Sequence, residues 1–163
     1  LEHSAMSGAS GEPYFSPGIE YLPSEEYGSL IQEPITAAQR LDDLRFIKAL
    51  TYVMNDIVSN AGDSVIIGRG SNMILRDHPS VLHVSIQAPY EMRLDAVARE
   101  LQTDSQDASR RLVEMENVRI EFFRKFFSVD PDDPNLYHLT FNTGKSSISK
   151  VARLIAEATS IIA

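Results

Sequence analysis

The run DSVIIGRGSNMILRD, Asp63 to Asp77, constrains this chain most. Val65 to Ile67 reads as a short buried strand that runs into Gly68-Arg69-Gly70 and then into a polar helix start at Ser71 or Asn72. Strand, glycine turn and helix in that order suit the reading of a phosphate. Glycines let the backbone bend tightly and approach a ligand, and Arg69 projects from the carboxyl end of a strand, where open α/β sheets place their sites. The same window also describes an ordinary strand-to-helix turn with a solvated arginine.

The flanking pattern alternates helices and strands. Thr36 with Gln39 forms a capping box, and Leu41, Leu44, Ile47, Leu50, Met54, Ile57 and Ala61 recur at helical spacing until Gly62. After the glycine turn come a short helix near Asn72 to Arg76, a strand over Val81 to Ile86, and a helix opened by Pro89 with Tyr90, Leu94, Val97 and Leu101 on one face. A longer helix from about Ser105 carries the stripe Ala108, Leu112, Met115, Phe122 and Phe126, and Arg119 falls in the gap of that stripe. That arginine either snorkels from the stripe's edge or aims at a buried phosphate. A third strand, Leu136 to Asn142, leads into a last helix. Strands separated by helices rather than tight turns predict a parallel sheet.

Other features narrow the function. With 163 residues and 43% apolar content the chain can bury one sizeable core. The net charge of −8 excludes a general nucleic-acid binder, although the bases concentrate in the middle: residues 1–68 hold ten acids and three bases, residues 69–125 nine of each. That distribution suits a local pocket for an anionic small molecule. The absence of cysteine excludes a disulfide scaffold and thiolate chemistry and fits a reducing cytoplasm. No apolar run is long enough for a bilayer. The four histidines are too dispersed in sequence for a local metal site, and each reads as a surface or strand residue. Asp130-Pro131-Asp132-Asp133-Pro134 reads as a rigid solvated turn rather than a cation site. Gly144-Lys145-Ser146 imitates a Walker A loop, but Leu139 occupies the position of the required first glycine, so Lys145 reads as a surface residue. Residues 6 to 34 combine prolines and glycines with Tyr14, Phe15 and Tyr21, which reads as an ordered excursion packing its rings on the domain or on a second copy, or as a disordered tail.

Four segments in order, VIIGRGSNMIL, LHVSIQAPYEMRL, VRIEFFRKFF and DDPNLYHLTFNTGKSSISKVARLI, resemble the cytidylate kinase-like family of P-loop nucleoside monophosphate kinases, from about Leu41 to Ile155. The resemblance implies an α/β fold, a three-layer P-loop kinase-like parallel sheet with flanking helices, over residues 35–163, following an extended segment at 1–34. It implies acceptor-phosphate contacts from Gly68 and Arg69 with Lys48 nearby, catalytic cations Arg93, Arg119 and Arg124 on the lid side, and a base loop at Asn142 and Thr143. ATP and Mg²⁺ would be the donor and its metal, and a nucleotide the small-molecule partner. No residue of this chain is assigned as a metal ligand.

The resemblance has gaps. Cytidylate kinases flank the Gly-Arg pair with acidic residues where this chain has Ile67 and Gly70, so cytosine selection is not implied; Val118 stands where a further base is usual. The family's first strand and glycine-rich donor loop are not found before residue 41. The chain is therefore expected to be a fragment supplying acceptor and lid sides, with a partner strand from another chain or a rearranged sheet as the other solutions. The alternative function is a non-catalytic nucleotide-sensing or protein-interaction module that kept the fold.

Overall fold

The computed structural model describes residues 36–162. The extended aromatic segment expected over residues 6 to 34 lies outside the described residues. Helix α1, Ala37–Asn60, starts at the expected capping box: the Thr36 hydroxyl accepts the Gln39 N–H at 3.2 Å, and the Gln39 side chain accepts the Thr36 N–H at 2.9 Å. Two orphan donors of the first turn are thereby satisfied. The helix closes at Ala61, and Gly62 turns the chain away with a left-handed φ of 67°.

Helix α2 is a single turn, Ser71–Ile74. Strand β1, Val84–Gln87, leads into α3, Tyr90–Leu101, with Pro89 at its N-cap, and α4 spans Ser105–Phe127. Asp104 caps α4 by accepting the N–H groups of Gln106 and Asp107, each at 2.9 Å, while Arg124 and Lys125 lie in the last turn, where cations oppose the helix dipole. Strand β2, Leu139–Asn142, and helix α5, Ile148–Ile162, follow. The two strands run parallel, with Val84 beside Leu139 and Gln87 beside Asn142. A parallel pair needs a crossover, and α3 with α4 supplies it.

The core gathers on α4. Ala108, Leu112, Phe122 and Phe123 are buried there, with Met54 of α1, Leu75 and Val151 of α5. Phe46 of α1 stands edge-on to Phe122 at 6.4 Å and tilted against Phe126 at 5.9 Å. Beside these rings Lys125 meets Asp43 at 2.9 Å, with only 10% and 20% of the two side chains exposed. Met115, expected within the apolar stripe, is exposed instead, and Phe123 takes a buried place.

One expected element is absent. Val65 to Ile67 forms no strand, and Val65 and Ile67 are 89% and 87% exposed. A strand exists only by pairing, and among the described residues the sheet consists of β1 and β2, neither of which reaches this segment. Both observed strands are also shorter than expected at their starts. Pro134–Leu136 closes a 3₁₀ turn, so pairing begins only at Leu139, opposite Val84.

Candidate functional site

The Gly68-Arg69-Gly70 turn is built from left-handed residues, with φ of 73°, 56° and 68°. Arg69 occupies that region without being a glycine, a conformation that costs energy and recurs at ligand-binding turns. Gly70 is buried, and a Cβ placed on it would lie 2.7 Å from Phe127 Cζ. The turn thus locks onto the aromatic cluster of α4, and no acidic side chain can replace Gly70 without moving Phe127. Its carbonyl receives the N–H groups of Met73 and Ile74, which start α2 and bring Asn72 inward.

Asn72 comes to lie against Tyr137 in the run-in to β2, without reaching full hydrogen-bond geometry, so its buried Nδ2 has no partner. The Tyr137 hydroxyl donates to the Pro131 carbonyl at 2.8 Å. Burial pushes the phenol upward from its ordinary value and Asp132 adds to that, while Arg119 and Asn72 act in the opposite direction. Arg119 itself binds Asp132, Nη2 to Oδ1 at 2.8 Å, with 40% of its side chain exposed. It therefore sits at the edge of the apolar stripe, not in the core. The acidic turn, expected to be solvated throughout, is anchored instead: Pro131 is fully buried and the Asp130 carboxylate accepts the Asp132 N–H.

One turn earlier on α4, Glu116 forms an ion pair with Arg93, which reaches across from α3. Glu116 and Arg119 are three residues apart and share a helix face, so Arg93, Glu116, Arg119 and Asp132 make an alternating row of charges. Arg93 Nε is buried without a hydrogen-bond partner. Arg93 and Arg119 are thus brought to one face of α4. Arg124 is not: it lies about 140° further round the helix. There it pairs loosely with Glu121 at 3.8 Å, 71% exposed. Lys48 is also apart, lining a shallow depression along α1 with Thr51, Tyr52 and Asn55.

Asn142 and Thr143 lie at the carboxyl ends of the strands. The Thr143 N–H and hydroxyl both donate to the Gln87 carbonyl, at 2.8 and 3.0 Å. Asn142 Oδ1 accepts the Gly144 N–H, and its carbonyl accepts those of Lys145 and Ser146. The amides of the Gly-Lys-Ser turn are therefore spent on Asn142, and the turn cannot cradle a triphosphate. Among the described residues no group of three or more carboxylates and imidazoles is placed to hold a metal ion.

Glu116 and Tyr137 are residues that the sequence pattern does not mark, and Asp132 and Asn72 read there only as a turn residue and a helix start. Only the spacing of Glu116 to Arg119 on one helix face could have flagged the first. The same holds for His83 and His138, 55 residues apart in sequence. Their rings stack at 5.2 Å, and His138 Nδ1 accepts the His83 N–H at 2.9 Å.

The described residues form a two-stranded parallel sheet with a helical crossover and flanking helices, and with the family match and the structural likeness that follow this is an incomplete α/β P-loop kinase-like fold. A sequence profile of the cytidylate kinase-like family matches residues 9–145, and the chain belongs to that family. The cytidylate kinase of Methanopyrus kandleri is 32% identical over 68 residues, 42% of this chain and 35% of that protein. That of Aeropyrum pernix is 30% identical over 100 residues, covering 61% and 58% of the two chains, and that of Methanocaldococcus jannaschii 24% over 104, covering 62% and 58%. The chain thus spans between 35% and 58% of the length of these curated relatives. The crystal structure of an uncharacterized protein from Eubacterium ventriosum superposes with a TM-score of 0.65 at 15% identity, over 84% of this chain and 71% of that one. That likeness concerns the fold alone.

Proposed function

We propose that this chain supplies the acceptor and lid sides of a nucleoside monophosphate kinase-like phosphotransferase, which moves a phosphoryl group from a nucleoside triphosphate to a small nucleotide acceptor. The observation that supports the reading is that Arg119 and Glu116, the ion-pair partner of Arg93, lie three residues apart on one face of α4. Phosphoryl transfer asks little covalent chemistry of a protein and much positive charge around the equatorial oxygens, so paired arginines on separate elements are suitable tools. Gly68 and Arg69 would present backbone and charge to the acceptor phosphate, and Asn142 and Thr143 would border the base. Arg124 and Lys48 would join only if α4 and α1 changed orientation on binding. ATP and Mg²⁺ are implied by the family and are assigned no residue among those described. A cytoplasmic setting, the division of the chain at residues 34 and 35, and a contact between copies through residues 6–34 belong to the same proposal.

The test is a coupled assay of the intact gene product for nucleoside diphosphate formation from ATP with each nucleoside monophosphate in turn. Turnover is expected with at least one acceptor, and Arg119→Ala should lower kcat/KM by about 10²- to 10³-fold. Failure with every acceptor would sink the enzyme reading. The second reading, a nucleotide-sensing or interaction module without catalysis, is favoured by the spent amides of the Gly-Lys-Ser turn and by Gly70 in place of an acid. Saturable nucleotide binding without turnover would select it.

A further inference from the structure

The two arginines are not presented bare. Each is held by a carboxylate from a different element: Arg93 by Glu116 of α4, Arg119 by Asp132 of the proline-framed turn. We propose that Glu116 and Asp132 are built-in competitors, which occupy the guanidiniums that a phosphate would otherwise bind and must give them up when it does. The inference rests on the reading of Arg93 and Arg119 as phosphate contacts. Both pairs are partly open to solvent, between 35% and 58% per side chain, so exchanging one anion for another is cheap. Arg119 meets Asp132 through a single nitrogen, whereas a phosphate can take a guanidinium by two.

Two further features make the competition part of the fold. Asp132 cannot drift away, because its neighbour Pro131 is buried and tied through its carbonyl to Tyr137. Arg93 is bound by Glu116 through Nη1, while its Nε is buried without a partner, so the pair uses one edge of the guanidinium alone.

The experiment is calorimetric titration of the full chain with inorganic phosphate and, separately, with cytidine monophosphate, at low salt. Asp132→Asn and Glu116→Gln should each tighten binding about three- to fivefold, as expected for removing an exposed ion pair's competition. Glu114→Gln, which removes the same charge from an exposed position on α4, should change it by less than about 1.5-fold. Arg119→Ala should weaken binding about tenfold or more. Weaker or unchanged binding by both carboxylate variants, with Arg119→Ala still deleterious, would mean that the carboxylates orient the arginines, and the inference falls while the anion site stands. Binding indifferent to Arg119→Ala would overturn the anion site and the inference together. The two carboxylates lie on separate elements, so misfolding of one variant, visible by circular dichroism, leaves the other decisive.

Discussion

Gly70 shows how one residue can couple a turn to the core. Its left-handed φ and the Phe127 ring both exclude a side chain. Gly70→Ala is therefore expected to cost about 2–4 kcal/mol, from backbone strain and overpacking together, read as a lower denaturation midpoint in urea. A change below about 0.5 kcal/mol would show that Phe127 yields freely. The glycine's importance was legible in sequence, but its reason was not. A Gly-Arg-Gly turn advertises backbone freedom; only tertiary packing shows that Gly70 is excluded space rather than a ligand cradle. Arg119 gave a similar half-answer: helical spacing placed it at the stripe, and a charge on a turn 13 residues later decided what it touches.

At the scale of elements, the start of the β1 and β2 pairing is held by His83 and His138. His83 is buried, and its Nε2 lies 3.2 Å from the Leu75 carbonyl, which calls for a proton on that nitrogen. Burial lowers its pKa below the ordinary 6.5, with the nearby His138 acting in the same direction and the Leu75 hydrogen bond opposing. The unfolded chain then binds a proton at a pH where the folded chain does not. Stability is complete above about pH 6.5 and is lost as pH falls through the folded value of His83. Melting temperatures between pH 8 and pH 5 should stay level above pH 7 and decline below 6.5, and His83→Leu should flatten that decline. An equal slope in the variant would assign the effect to other groups. The elements themselves were largely legible: the capping box of α1, Pro89 before α3 and the parallel pairing all follow local rules. Strand ends were not, because a ladder's limits depend on its neighbour.

At the scale of the whole molecule, apolar surface is unevenly covered among the described residues. The α3–α4 hairpin and the phenylalanine cluster pack well, while Val65, Ile67 and Ile148 stay largely exposed. Val65→Thr and Ile67→Thr should therefore change the stability of this chain by less than about 0.5 kcal/mol in urea denaturation. A loss above about 1 kcal/mol would show that both side chains are covered in solution.

By itself the sequence determined where α1 and α3 begin, that the sheet is parallel, that the Gly-Lys-Ser turn is no Walker loop, and which family the chain resembles, whereas the short helix expected near Asn72 to Arg76 forms at Ser71–Ile74. These rest on caps, periodicity and residue spacing, all local in the chain. Tertiary structure alone decided that Val65 to Ile67 stays unpaired, that Arg93 and Arg119 share a face while Arg124 does not, and that Glu116 and Asp132 hold them. Those outcomes depend on which distant groups meet, and strand pairing and ion pairing join residues that no local pattern connects.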